Sequence, residues 1–242
     1  MAETLIIIPA FNEEKSIGTT LHDLLQSVQG ADILVVNDGS VDGTAAISGA
    51  SPIWVLNHPV NLGYGAALQS GYKFAARRGY RYVVQFDADG QHATGDLIRL
   101  IGEMRKNDTD VVIGSRFLGD PNFDPGLRKK LAINTFRSII FALTQTRVTD
   151  PTSGLRGLHE KVFRFYSEKG RFPSDYPDAD IIIHMLLNRF RIREFPIGSR
   201  ERKEGISMHS GFKPIIYMFK VMLSILAVFL NHCLVDRRNR HA

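Results

Sequence analysis

Short apolar runs alternate with segments of helical periodicity along the first half of the chain. Such strands, separated by helices, are typical of a parallel sheet covered on both faces. We therefore predict an α/β fold with a mostly parallel central sheet and helices on both faces. Asn12 is predicted to cap the first helix. The predicted strands are residues 5–8, 33–36, 53–56, 82–86 and 111–113, and the predicted helices are residues 13–28, 43–49, 64–78 and 95–106.

The second half of the chain follows a less regular pattern. Residues 127–144 and 178–189 have helical spacing, residues 150–156 are typical of a loop, and residues 191–197 are typical of a strand. The last apolar segment, residues 214–235, has an uninterrupted core of only about half the ~20 residues that a spanning helix needs. We predict an amphipathic helix on a membrane surface, with packing on the core or on a second subunit as the alternative.

Composition and charge narrow the class of protein. The 242 residues, of which 44% are hydrophobic, suit one globular domain, and the single cysteine excludes an intrachain disulfide framework. No secretory leader precedes the first strand, so we expect a cytoplasmic location. The net charge of +5, concentrated in the second half, indicates an anionic partner. Aromatic residues do not interleave with the basic ones, which disfavours nucleic acid and leaves a phosphorylated substrate or an acidic membrane surface.

Polar, acidic and glycine-rich residues follow the first four predicted strands. Ligands of parallel sheets bind beyond the carboxyl ends of the strands, so we expect these loops to meet in one crevice. Asp87 and Asp89 follow the fourth strand, and two carboxylates this close favour a cation between them. With Gln91 as a further oxygen ligand, Mg²⁺ or Mn²⁺ is the predicted metal. The sequence lacks the motifs of a zinc site, a P-loop and a dinucleotide fold. Its acidic residues are placed to bind a metal and a base or ribose, so the predicted ligand is a nucleotide diphosphate.

Four segments at these strand ends resemble, in order and spacing, the family 2 glycosyltransferases of the GT-A fold, in the branch of the dolichol-phosphate mannose synthases. The resemblance implies a GT-A domain over residues 1–211, with a nucleotide-sugar half at 1–120 and an acceptor half at 121–211. Residues 212–242 would then form the membrane-surface or oligomerisation helix, which could pair two chains into a homodimer. The four segments are residues 8–14, 36–44, 61–67 and 86–92, and looser similarity covers 114–117, 150–156, 194–197 and 202–207.

The same resemblance implies roles for individual residues. Asp89 and Gln91, together with Asp87, would hold the metal, and Arg202 would close over the donor pyrophosphate. Basic and polar residues of the second half would meet the acceptor phosphate, namely Arg116, Arg128, Lys130 and Ser153. Residues of the first half would bind the nucleotide sugar, namely Pro9, Ala10, Asn12, Glu13, Asp38, Asp42, Gly63, Gly65, Asp87, Ala88 and Asp89. The residues implied in catalysis are Asp87, Asp89, Arg116, Asp150, Asp180 and Arg202.

The acceptor decides what further chemistry the site needs. In-line attack at the anomeric carbon inverts its configuration, as the resemblance implies. A sugar hydroxyl requires a general base, for which Asp150, Asp178 or Asp180 is available, although related sequences usually carry a glutamate at position 180. A lipid phosphate is already largely deprotonated at neutral pH, because its second pKa is near ~6, and needs only positioning by basic side chains.

The basic second half and the terminal helix favour a polyprenyl phosphate acceptor at the cytoplasmic face of a membrane. Transfer to a glycan hydroxyl is the alternative within the same fold. A different class of protein, a non-catalytic adaptor that binds a nucleotide sugar and recruits a membrane protein, is a third hypothesis. Base and sugar of the donor stay open at this point.

Overall fold

The computed structural model describes residues 2–88, 92–106, 108–120, 123–173, 178–198 and 220–230. Helices and strands alternate along most of this length. The strands are β1 (Thr4–Ala10), β2 (Ala31–Asn37), β3 (Trp54–Asn57), β4 (Tyr82–Gln85), β5 (Val111–Ser115), β6 (Arg156–His159) and β7 (Ile192–Pro196). The helices are α1 (Ile17–Ser27), α2 (Thr44–Gly49), α3 (Tyr64–Arg78), α4 (Thr94–Met104), α5 (Arg116–Gly119), α6 (Leu127–Thr144), α7 (Glu160–Ser167) and α8 (Ala179–Leu187).

The strands form one seven-stranded sheet in the order β3-β2-β1-β4-β6-β5-β7. Neighbouring strands run parallel except where β6 pairs with β4 and with β5. The mostly parallel α/β sheet predicted from the apolar runs is therefore confirmed. All the parallel strands point their carboxyl ends to the same edge, where the loops of the predicted crevice lie.

Two apolar cores cover the two faces of the sheet. Side chains alternate along β1, so that Leu5 and Ile7 enter one core while Ile6 and Ile8 enter the other. Helices α3, α6, α7 and α8 pack on the first face, and α1 and α4 pack on the second. Burial on both faces is the physical reason for the near-continuous apolar runs, since each buried aliphatic side chain contributes about 1.5–3 kcal/mol.

The pattern analysis missed β6 and α7, and it placed the start of α1 wrongly. Strand β6 has the sequence Arg-Gly-Leu-His, which carries no apolar run; it is held as a strand by its pairing with β4 and β5. Helix α1 begins at Ile17 with Ser16 as its cap, not at Asn12. The backbone of Asn12 has a φ of 55°, in the left-handed region, because this residue bonds to the loop after β2 instead.

Residues 220–230 form a helix, here called the C-terminal helix, with two different faces. Val221 and Ile225 join the core on the first face of the sheet, where they are 2% and 5% exposed. The opposite side presents large apolar residues to the surface, namely Met222, Leu223, Leu226 and Leu230. One half of this helix therefore packs on its own domain. Within the described ranges, no helix combines the length and the apolar content that crossing a membrane requires.

Candidate active site

Loops from the carboxyl ends of β1 and β2 are joined by hydrogen bonds. The backbone amide of Asn12 donates to Ser40 Oγ over 3.0 Å, and Asn12 Oδ1 accepts from the amide of Val41 over 3.0 Å. The amide of Glu13 donates to Thr44 Oγ1 over 2.8 Å. Both loops start from buried strand ends. Joined by these bonds, they form a half-exposed polar wall at the carboxyl edge of the sheet.

Asp38 holds the loop after β3 in place. Its carboxylate accepts hydrogen bonds from the backbone amides of Leu62 and Gly63, each over 2.9 Å, and from His58 Nδ1 over 2.6 Å. The His58 ring reaches Ser70 Oγ through its other nitrogen at 2.9 Å. Asp38 is only 3% exposed, so it lies beneath this loop rather than on its surface. Nothing in the sequence pattern pointed to His58.

The contact between the loops after β2 and β3 requires a glycine at position 39. Gly39 has a φ of 69°, and a methyl group there would lie 2.6 Å from the backbone nitrogen of Asn61. Any larger side chain would push the two loops apart. The first three crevice loops thus form one bonded unit.

Asp87, at the end of β4, lies where this unit meets the second half of the chain. Its Oδ1 accepts a hydrogen bond from the Tyr64 hydroxyl over 2.8 Å. Burial, and then the charge of Asp87, raise the pKa of Tyr64 well above its usual value, so the hydroxyl stays a donor. A methyl group on Gly154 would overlap Asp87 Oδ2, so the loop between α6 and β6 approaches this carboxylate closely. The other two predicted metal ligands, Asp89 and Gln91, lie outside the described residues.

Arg116 and Asp150 form a largely buried ion pair near Asp87. Arg116 Nε donates to Asp150 Oδ2 over 2.7 Å and its Nη2 to Oδ1 over 2.8 Å, while Nη2 also reaches Thr152 Oγ1 at 2.9 Å. Asp150 is 0% exposed. Burial alone would raise the pKa of Asp150, but the hydrogen bonds and charge of Arg116 bring it below its usual value. The Asp150 carboxylate is therefore a fixed anion that orients the guanidinium.

A second group of buried charges surrounds Arg156. This side chain is 3% exposed, donates to the carbonyl oxygens of Ser153 and Pro151 over 2.8 and 3.1 Å, and lies 3.9 Å from Asp178 Oδ1. Burial, and then the carboxylates of Asp180 and Asp87, raise the pKa of Asp178 to about 6 in spite of the charge of Arg156. Asp178 is the more accessible of the two acids at the start of α8, with 26% of its side chain exposed.

Asp180 connects this group to the C-terminal helix. Its Oδ1 accepts from the amides of Asp178 and Ile181 over 3.0 and 2.8 Å, and its Oδ2 accepts from Ser224 Oγ over 2.5 Å. Asp180 is 1% exposed, and burial raises its pKa. The contact with Ser224 attaches the C-terminal helix, which was predicted to lie on a membrane surface or to pack on the core or a second subunit, to the start of α8.

The structure brings together most, but not all, of the residues implied by the sequence. The electrostatic neighbours of Arg116 include Asp150, Asp87 and Asp178, so these four form one cluster. Ser153 is fully buried, and its hydroxyl has no hydrogen-bond partner among the described residues. Lys130 is exposed in the first turn of α6, and Arg202 and the side chain of Arg128 lie outside the described part of the chain. Among the described residues, no group of three or more potential ligands forms a metal site.

A loop-lined edge at the carboxyl ends of a mostly parallel sheet, with the Asp87 carboxylate near the Arg116–Asp150 pair, is the arrangement expected of a nucleotide-sugar transferase. The model of glycosyl transferase family 2 matches residues 5–170, and the chain belongs to this family. The predicted resemblance is thereby confirmed. The chain is a glycosyltransferase with a GT-A fold.

Named relatives of similar length support this assignment. The chain is 32% identical to a polyprenol monophosphomannose synthase of Mycolicibacterium smegmatis, over 90% of this chain and 85% of the relative. It is also 32% identical to a UDP-N-acetylglucosamine–dolichyl-phosphate N-acetylglucosaminyltransferase of Methanococcus voltae, over 88% of this chain and 94% of the relative.

A solved structure shares the fold at lower identity. Glucosyl-3-phosphoglycerate synthase of Mycobacterium tuberculosis, crystallised with Mn²⁺ and UDP-glucose, superposes with a TM-score of 0.68. It is 20% identical, and the match covers 93% of this chain and 78% of the synthase.

Proposed function

We propose that this chain transfers a hexose from a nucleotide-diphosphate sugar to a polyprenyl phosphate, with inversion at the anomeric carbon. The observation that carries the proposal is the guanidinium of Arg116, which Asp150 holds in a fixed orientation in the same cluster as Asp87. A fixed, permanently charged guanidinium matches the oxygens of a phosphate acceptor. The named relatives, both of which carry a polyprenol or dolichyl phosphate in their names, support the same acceptor.

The donor is assigned to the wall built by the loops after β1, β2 and β3. Asn12, Glu13 and Asp42, with Pro9 and Ala10 behind them, would contact the base and ribose. Asp38 is too buried for much direct contact, so its role would be to shape the Leu62–Gly63 backbone that faces the nucleotide.

The residues near Asp87 fit a divalent cation. Asp87 is a half-buried carboxylate at the end of a parallel strand, and Asp89 and Gln91 would complete a set of oxygen ligands, which Mg²⁺ and Mn²⁺ prefer. When bound, the metal would offset the charge that develops on the departing diphosphate. Tyr64 and Gly154 would fix the Asp87 carboxylate next to it, with one oxygen bonded to the tyrosine hydroxyl.

The acceptor phosphate is assigned to Arg116, with Lys130 and Arg128 as further contacts; Ser153 is fully buried, so its role would be to shape the loop that carries Asp150. A lipid phosphate needs no proton acceptor, so the buried Asp150 would serve only to orient Arg116. The lipid itself requires access to a membrane. We assign this contact to the open apolar face of the C-terminal helix and to the first two turns of α6, where Leu127 is 85% and Leu131 70% exposed beside exposed lysines.

A glycan hydroxyl is the second candidate acceptor, and one observation favours it. Asp178 is accessible and has a pKa of about 6, which suits a general base near neutral pH. The variant Asp178→Asn separates the two reactions. With a phosphate acceptor we expect turnover within about threefold of wild type, whereas loss of the base from a hydroxyl acceptor should cost at least about a hundredfold.

The proposal is tested first by ligand binding and then by turnover. We expect Mg²⁺ or Mn²⁺ together with one nucleotide diphosphate, from a panel of UDP, GDP and dTDP, to raise the melting temperature. The matching radiolabelled sugar nucleotide should then label polyprenyl phosphate in detergent and leave free glycans unlabelled. Labelling of glycans alone would reject the lipid acceptor. The absence of stabilisation by every metal–nucleotide pair would reject the transferase site.

The variant Asp89→Ala tests the metal separately. Loss of an interaction worth about 3 kcal/mol in the transition state lowers kcat about a hundredfold. Metal-dependent stabilisation by the nucleotide should disappear in the same variant. Unchanged turnover would overturn the metal assignment.

A further inference from the structure

Glu194 in β7 binds the loop that carries Asp150. Its Oε2 accepts from the amide of Thr149 over 2.7 Å, and its Oε1 accepts from Thr149 Oγ1 over 2.9 Å and from the amide of Asp150 over 2.8 Å. One carboxylate therefore satisfies three donors on two consecutive residues. These residues lie 44 and 45 positions before Glu194 in the chain, so only the fold brings them together.

The contacts continue from this loop to the guanidinium of Arg116. Asp150 accepts two hydrogen bonds from the Arg116 side chain, over 2.7 and 2.8 Å, and one from its backbone amide over 3.1 Å. Thr149 Oγ1 also lies 2.6 Å from Ser115 Oγ, at the end of β5 and next to Arg116 in the chain. Glu194 is thus connected to Arg116 by hydrogen bonds through one intervening residue, Asp150.

We propose that Glu194 is a positioning residue for the acceptor phosphate. It fixes the Thr149–Asp150 backbone, and Asp150 in turn sets the orientation of the Arg116 guanidinium. This inference rests on the proposed function, because it takes Arg116 as the contact of the acceptor phosphate. The negative charge matters as much as the shape, since all three groups that face Glu194 are donors.

The variant Glu194→Gln keeps the size of the side chain but turns one acceptor into an amide donor. That amide would face an N–H or O–H donor of the loop, so the Thr149–Asp150 segment must shift. We expect the KM for polyprenyl phosphate to rise about tenfold, while the KM for the sugar nucleotide stays within about twofold. Thr149→Val, which removes only the hydroxyl, is the milder variant and should raise the acceptor KM about threefold.

Asp110 supplies a matched control on the same pair of strands. Its Oδ2 accepts from the backbone amide of Arg191, just before β7, over 2.8 Å, and its Oδ1 pairs with Lys161 at 2.7 Å. It therefore links β5 to β7 at the end opposite to Ser115, which pairs with Pro196. Asp110→Asn should lower the melting temperature as much as Glu194→Gln and leave the acceptor KM within about twofold of wild type.

A double-mutant cycle with Arg116→Lys decides whether Glu194 acts through Arg116. If it does, Glu194→Gln should raise the acceptor KM far less in the Arg116→Lys background than in wild type. Equal effects in both backgrounds, or a parallel rise in the KM of the donor, would overturn the inference.

Failure of the proposed function gives a different result. In that case the wild type itself transfers no sugar to polyprenyl phosphate. The coupling between Glu194 and Arg116 is then tested by thermal unfolding. The shifts in melting temperature caused by Glu194→Gln and Arg116→Lys must be non-additive in the double variant. Additive shifts would overturn the inference on their own.

Discussion

The two sides of the crevice are built from different kinds of interaction. On the donor side, the loops after β1 and β2 are joined by hydrogen bonds between backbone amides and small polar side chains, such as those of Asn12 and Ser40, at largely exposed positions. Asp38 is the buried charge of this side. The acceptor side rests on charged groups inside the protein, where Arg116 pairs with Asp150 and Arg156 lies near Asp178. A neutral hydrogen bond contributes about 0.5–1.5 kcal/mol, whereas breaking a buried ion pair costs about 3–5 kcal/mol.

This difference predicts how each side responds to substitution. Single changes at the exposed contacts between the loops after β1 and β2 should weaken one contact and leave the rest in place. Single changes at the Arg116–Asp150 pair on the acceptor side should leave a charge without its partner and disturb the whole cluster.

The largest effect is expected for Asp150→Asn. It leaves the Arg116 guanidinium without its anion, and the free energy of unfolding should fall by about 3–5 kcal/mol. Arg116 lowers the pKa of Asp150, so the wild type gains stability from this pair only while Asp150 is ionised. The loss of unfolding free energy in the variant should therefore have its full size above pH 3.8, the ordinary aspartate value, and shrink as the pH falls below it. Urea unfolding at several pH values measures this.

The exposed pair Glu160–Arg164 is the control for that measurement. Glu160→Gln should cost less than about 1 kcal/mol, because exposed ion pairs contribute little. Equal losses for the two variants would contradict the contrast between a buried and an exposed pair.

Gly154→Ala tests the boundary between the two sides. The added methyl group overlaps Asp87 Oδ2, so the carboxylate must move; we expect a loss of about 1–3 kcal/mol of stability and about a hundredfold fall in kcat. Gly102→Ala in α4 is the control, because a methyl group there meets no atom within 4 Å and should stabilise the helix by about 0.5–1 kcal/mol. Unchanged kcat in Gly154→Ala would show that the carboxylate does not need this position.

Asp178→Asn should stabilise the protein in a pH-dependent way. A pKa raised from 3.8 to about 6 means that the folded state binds more protons than the unfolded state between these values, so wild-type stability falls as the pH rises through them. The variant loses that dependence. Since about a quarter of the side chain is exposed, we expect the variant to gain ~1–2 kcal/mol above pH 6 and nothing near pH 3.

The smallest effect is expected on the donor side, for Asn12→Gly. The glycine adopts the φ of 55° without strain and loses only the hydrogen bond that the amide of Val41 donates to Asn12 Oδ1, which should cost about 0.5–1 kcal/mol. Asn12→Ala should cost about 1 kcal/mol more, because it adds backbone strain. A loss on the scale of Asp150→Asn would remove the distinction between the two sides.

The sequence was most informative for residues that directly follow a predicted strand. Residues such as Asp38 and Asp87 could be assigned to the crevice because each follows an apolar run and the carboxyl ends of parallel strands meet. The assignment failed where an element has no pattern of its own. Strand β6 is four residues long, and it is stabilised by neighbours that lie far away in the chain.

By itself, the sequence determined the α/β sheet, the order of its crevice loops and the family of the protein. Periodicity and the residues at strand ends are local features, so they can be recognised in the linear sequence. Only the tertiary structure decided that Glu194 holds the loop of Asp150, that His58 supports Asp38, and that Ser224 bonds to Asp180. Those pairs are 20 to 44 residues apart. The energy of a buried charge depends on the partner that folding places beside it. The linear order of residues does not show which residue that partner is.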